Sequence, residues 1–220
     1  MSAKRARSVL LTGFDAFGGE RVNPSWRAVR ALAGERIGGH EVQVARLRCE
    51  FATAPRQLAR AIAKHDPALV LCVGQAGGRA ALSLERVAIN VIDARIADNA
   101  GSQPVDEPVL AGAPAAHFAS LPLKAMLAAL REARISAEVS ATAGTFVCNA
   151  VFFHLAQQLA DRGGRTRGGF IHVPYLPEQA RRHENAPSMA LATMIEALRI
   201  CVRVALATRS DLRIAAGQVA

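Results

Sequence analysis

Strand-like and helix-like segments alternate along almost the whole chain, and this constrains the fold more than any other feature. Ser8–Thr12 reads as a short buried strand stopped by Gly13. Asn23-Pro24 places a capping residue before a proline at the first helical position, opening a helix to about Leu32. Glu41–Leu47 alternates polar and apolar residues, as a half-buried strand does. Pro55–Lys64 has helical period, and Leu69–Val73 is a wholly apolar strand ending at Gly74. Ser83–Ile92 is strand-like, Pro122–Ala133 a helix, Glu138–Ala141 a strand and Asn149–Asp161 a helix. Gly169–Val173 and Ala190–Leu206 give the last strand and the longest helix. Such alternation predicts one α/β domain spanning 1–220, with a mostly parallel sheet and helices on both faces. Asp93–His117 is a long irregular stretch, and residues 1–7 and about 209–220 are weakly patterned and expected to be loose.

Composition excludes several function classes. No apolar run approaches the roughly 20 residues that span a bilayer. The apolar stretch Val9–Leu11 stops at Thr12-Gly13, too short for a signal-peptide core. A soluble cytoplasmic protein with no membrane partner is expected. The four cysteines, Cys49, Cys72, Cys148 and Cys201, form no CxxC pair and no ligand spacing with histidine, so no metal is expected. They read as reduced thiols. The net charge of +9 comes mainly from arginines scattered through helix-like segments, with few aromatics for stacking on bases. No nucleic-acid partner is expected from it.

In open parallel sheets, ligands bind beyond the carboxyl ends of strands, and that is where this chain carries its unusual loops. Gly13-Phe14-Asp15-Ala16-Phe17-Gly18-Gly19 follows the first strand, and Gly74-Gln75-Ala76-Gly77-Gly78-Arg79 follows the apolar strand ending at Val73. Neither has the form of a phosphate-binding loop. A third loop, Ala143-Gly144-Thr145-Phe146-Val147, leads into Cys148, behind which a helix begins at once. A cysteine at a helix N-terminus is favoured as thiolate. It needs a base, and the base needs an orienting group. His172 interrupts an apolar strand just before Pro174 and is the best base among six histidines. Glu85 is an acid within a strand-like segment and suits the orienting role; an ordinary ion pair with Arg86 or Arg79 is its alternative. Phe14, Phe17 and Phe146, three of eight phenylalanines, sit in these loops and favour an apolar pocket for a small, uncharged, flat ligand.

The blocks LLTGFDAFGGERVNPSW, LCVGQAGGRAALSLERVAIN, DARIADNAGSQPVDEP, ATAGTFVCN and RGGFIHVPYLPEQ resemble pyroglutamyl peptidase type I (pyrrolidone-carboxylate peptidase), from about Val9 to Ala205. The resemblance implies an open three-layer α/β/α sandwich and a cysteine exopeptidase that removes N-terminal pyroglutamate (5-oxoproline) through a thioester. It places the catalytic Glu, Cys and His on Glu85, Cys148 and His172. It implies that Phe14, Phe17, Phe146 and Val147 enclose the lactam, that Asn23 and Gln75 are its polar partners, and that Arg95 supports the oxyanion. It further implies no cofactor and a homotetramer, with a dimer as the alternative. Ala16 and Ala97 stand where the family often has proline, Cys49 where threonine is common, and Ala150 where histidine is common. A binding protein that recognises pyroglutamyl termini without cleaving them is a competing reading, and an RNA-binding role motivated by charge is a third.

Overall fold

The computed structural model describes residues 7–217. In chain order these form β1 (Val9–Phe14), α1 (Pro24–Ala31), β2 (Arg36–Ile37), β3 (His40–Leu47), α2 (Ala54–His65), β4 (Leu69–Gln75), β5 (Leu82–Glu85) and β6 (Val87–Ile89). There follow β7 (Ala116–Phe118), α3 (Leu123–Glu132), β8 (Ala137–Ser140), α4 (Val147–Asp161), β9 (Arg167–Val173), α5 (Pro177–Ala180) and α6 (Leu191–Ala207). Seven strands form one sheet in the order β2-β3-β1-β4-β9-β5-β8. β3, β1, β4 and β9 are parallel. β2 is an antiparallel edge, and β5 lies antiparallel to β9 while pairing in parallel with β8.

Period-2 alternation sends neighbouring side chains to opposite faces of this sheet. Val9, Leu11, Leu69, Leu71, Val73, Ile171 and Val173 share one core with Val29, Met126 and Leu198 of α1, α3 and α6. Leu10, Val70, Cys72 and Phe170 point the other way, onto Leu58 and Ile62 of α2 and Val151, Phe152 and Leu155 of α4. The sandwich therefore has helices on both faces, as the alternation predicts. Among the described residues no helix is long and apolar enough to cross a membrane.

Three local features depart from the sequence reading. The strand expected over Ser83–Ile92 breaks at Arg86. β5 stays in the sheet, while β6 pairs with β7 in a separate two-stranded ribbon. The cause is the buried Asn149 side chain in the first turn of α4. Its Oδ1 accepts from Ile89 N at 3.0 Å, and its Nδ2 donates to Ile89 O at 2.8 Å and Val91 O at 3.1 Å, drawing the segment out of the sheet. The one-turn helix α5 is too short to show a period.

The third departure is at the chain ends. Residues 1–6 and 218–220 lie outside the described residues. Arg7 is fixed by bonds from its guanidinium to the Asp66, Pro67 and Arg165 carbonyls and to Thr166 Oγ1. Asp211 caps α3 from outside: Lys124 N donates to Oδ2 at 3.0 Å and Ala125 N to Oδ1 at 2.9 Å. The helix supplies no side-chain cap of its own at Pro122. Asp211→Ala is expected to lower the unfolding free energy by about 1 kcal/mol, measured by urea denaturation. An unchanged midpoint would contradict the capping role.

Candidate active site

His172 is the last residue but one of β9. Ile171 and Val173 enter the α6 side of the core, so His172 faces the α4 side with Phe170, their rings 4.8 Å apart. Glu85 ends β5 in register with Phe170, which brings its carboxylate to the same face. Its Oε1 lies 2.7 Å from His172 Nδ1. Glu85 is fully buried and His172 is 4% exposed. A carboxylate so placed must be paired to remain charged, and Oε1 also accepts from Arg79 Nη1 at 2.7 Å. Oε2 has no hydrogen-bond partner among the described residues.

Cys148 is the second residue of α4. No side chain caps this helix end, so the first-turn amides remain available to a ligand. A Cβ built on Gly74 would lie 2.8 Å from Cys148 Sγ and 2.8 Å from the Phe170 ring, so only glycine lets the sulfur rest against β4. Gly74→Ala is expected to displace the sulfur and reduce kcat about 10²-fold with KM less affected, as steady-state kinetics would show. Full activity would mean that the sulfur does not rest where the structure puts it.

Burial pushes the Cys148 thiol well above its ordinary range, with Cys49, Glu85 and Cys72 adding to the effect and Arg79 opposing it. Desolvation is the largest influence on the thiol and opposes the thiolate expected from sequence. A raised value leaves the group protonated through neutral pH, so attack requires a base at that moment. The alkylation rate of Cys148 by iodoacetamide is expected to keep rising with pH beyond neutrality. A plateau below pH 7 would contradict this.

Cys148 and His172 line a cavity of about 360 Å³ with Phe17, Gln75, Gly77, Arg79, Arg95, Thr145 and Phe146. Phe17 and Phe146 both line it and touch at a tilt of 36°, centroids 6.0 Å apart. Phe51 braces Phe146 edge-on at 5.2 Å. Among the described residues no three His, Cys, Asp or Glu side chains are grouped to hold a metal ion.

The chain has relatives. A model of the pyroglutamyl peptidase family matches residues 7–208. The chain belongs to that family. It is 57% identical to the pyrrolidone-carboxylate peptidase of Erwinia tasmaniensis, covering 96% of this chain and 98% of that one. It is 55% identical to the enzyme of the same name from Cupriavidus necator, over 97% and 99% of the two chains. Its fold superposes on the crystal structure of pyroglutamyl peptidase I from Bacillus amyloliquefaciens with a TM-score of 0.93 at 44% identity, covering 96% of this chain and 100% of that one. A mutant pyrrolidone carboxyl peptidase from Pyrococcus furiosus gives 0.88 at 40%, over 91% and 98%.

The residues singled out in this family member separate into two layers. Phe17, Gln75, Arg95, Phe146, Cys148 and His172 line the cavity. Glu85 stands behind His172. Phe14 and Val147 are buried in the supporting core, Phe14 against Phe170 with centroids 6.2 Å apart. Asn23 caps α1: its Oδ1 accepts from Ser25 N at 3.0 Å and Ser25 Oγ at 2.8 Å, and its Nδ2 donates to Asp15 O at 2.9 Å. Gln75 Oε1 accepts from Gln179 Nε2 at 3.1 Å. Cys49 is buried, and its thiol is pushed up to about 12 by desolvation, with Asp98 next.

Other members of the site gave no signal in sequence. Asp98 accepts from the amides of Phe51, Ala100 and Ser102 and so shapes the irregular loop. Asn99 Nδ2 donates to Ala16 O at 2.9 Å, tying together the two loops that carry Ala16 and Ala97. An adjoining hollow shares Phe17, Gln75, Gly77 and Arg95 and adds Glu20, Tyr175 and His183. His183 reads as part of a polar charged stretch, yet it stacks on Tyr175 at 4.6 Å.

Proposed function

We propose that this chain is a cysteine exopeptidase, one domain over 1–220, that hydrolyses the N-terminal pyroglutamyl residue from peptides through a thioester. The observation that carries this reading is the buried Glu85–His172 bond of 2.7 Å opening onto the same cavity as Cys148. Membership of the family supplies the substrate class.

Cys148 gives its proton to His172 as Sγ attacks the carbonyl carbon of the pyroglutamyl residue. Glu85 accepts from His172 Nδ1–H, which leaves Nε2 as the base and stabilises the imidazolium that forms. The oxyanion is met by the free amide of Cys148, with Arg95 at the cavity mouth in support. One such donor is worth about 3 kcal/mol. The tetrahedral adduct expels the peptide amine, which takes the proton from His172. His172 then removes a proton from water, which cleaves the thioester and releases 5-oxoproline.

Phe17 and Phe146 supply flat apolar walls for the lactam, held from behind by Phe14 and Val147. Gln75, with its Oε1 engaged by Gln179, has its Nε2 group left to donate to the lactam carbonyl. Asn23 contributes by fixing the Asp15–Phe17 loop. An ordinary charged N-terminus is rejected through the cost of desolvating its ammonium. The working form we propose is a cytoplasmic homotetramer.

The purified, reduced protein is expected to release free 5-oxoproline from a pyroglutamyl amide and to leave an alanyl amide intact. Tight binding of the pyroglutamyl amide with no turnover would favour recognition without cleavage instead.

A further inference from the structure

The reaction just described uses one of the two charged groups on Glu85. The other is Arg79. Its Nη1 donates to Glu85 Oε1 at 2.7 Å, the oxygen that also meets His172. Its Nη2 donates to Thr142 O at 3.0 Å. Thr142 opens the segment that leads to Cys148, and it is itself held: Ser140 Oγ donates to Thr142 O at 3.0 Å, and Gly144 N donates to Thr142 Oγ1 at 3.0 Å. One guanidinium therefore touches both the buried acid and the approach to the nucleophile.

We infer that Arg79 is a positioning residue for this reaction: one arm of its fork fixes the Glu85 carboxylate against His172, and the other fixes the loop that delivers Cys148. The inference rests on the roles given above to Glu85, His172 and Cys148. The chemistry suits arginine. A planar fork with several donors can hold two acceptors in a set geometry, whereas an ammonium is a single point charge on a flexible stem. Arg79 also has an electrostatic effect. A buried carboxylate without a compensating charge is costly, and the guanidinium supplies that charge.

The charged and titratable groups around His172 come from every side of the cavity. They are Glu85 from β5, Arg79 from the loop after β4, Cys148 from α4, and Asp93 and Arg95 at the mouth. Removing the Arg79 charge leaves Glu85 unopposed, which favours the imidazolium. It also removes the cation that favours the Cys148 thiolate. The first change moves the acid limb of kcat/KM to higher pH.

The test is the pH profile of pyroglutamyl amide hydrolysis by the full chain, as wild type, Arg79→Gln and Arg79→Lys. For Arg79→Gln the acid-limb midpoint is expected to rise by about one pH unit, about a tenfold loss on that limb. Arg79→Lys is expected to keep the wild-type midpoint, because its charge remains, and to lose kcat, because one ammonium cannot make both bonds. Two variants with the wild-type midpoint and kcat would overturn the inference. So would a loss uniform in pH that follows thermal stability. Where Arg79→Gln does not fold, Arg79→Lys decides: lowered kcat at the wild-type midpoint supports the role, and unchanged kcat overturns it. An inactive wild type overturns the functional reading itself; an active wild type with indifferent Arg79 variants overturns the role of Arg79 alone.

Discussion

Cys148→Ala is expected to lower kcat/KM for a pyroglutamyl amide by about 10⁴-fold or more while leaving the fold intact. Cys148 is 8% exposed, lines the cavity and belongs to the core on the α4 side of the sheet. Alanine keeps the helix backbone and the Cys148 amide, and removes only the atom proposed to form the thioester. The small void left by the sulfur costs about 1 kcal/mol of stability. Residual hydrolysis would come from binding and oxyanion stabilisation alone. Kinetics beside a thermal unfolding curve separates the two effects, and near-normal turnover by a folded variant would remove Cys148 from the mechanism.

Glu85→Gln is the second large effect, a loss of about 10²–10⁴-fold in kcat. The amide is nearly isosteric with the carboxylate, so packing changes little. The bonding pattern, however, cannot be kept. One carboxylate oxygen accepts from both His172 and Arg79. An amide that turns its oxygen to these donors loses the negative charge that stabilises the imidazolium. One that turns its nitrogen to them meets donor with donor and forces the wrong imidazole tautomer. Retention of kcat within a few-fold would show that His172 is oriented by something else.

Much of this site is legible in the chain because each feature breaks a local pattern. A histidine in an apolar strand, an acid in another and a cysteine at a loop-to-helix junction all stand out against their neighbours. Strand direction is a different matter. Period 2 reads the same both ways, so nothing in Leu82–Glu85 or Ala137–Ser140 announces that β5 and β8 run against β9. That reversal sets Glu85 opposite Phe170, beside His172. The break at Arg86 was equally hidden, because it depends on Asn149 some 60 residues away. Arg79 in sequence is a competitor of His172 for Glu85; only the three-dimensional arrangement has one oxygen serving both. The Cys148 thiol turns on burial, which a helix N-terminus in sequence does not reveal.

The central claim is that Cys148 is the nucleophile of a site built for the pyroglutamyl group. Its most direct test is labelling with a pyroglutamyl chloromethyl ketone, followed by peptide mapping, beside an alanyl chloromethyl ketone. The account predicts stoichiometric inactivation with the adduct on Cys148 alone, protection by 5-oxoproline, and little reaction with the alanyl reagent. Inactivation with the adduct on Cys49 or another residue, or equal labelling by both reagents, would contradict it.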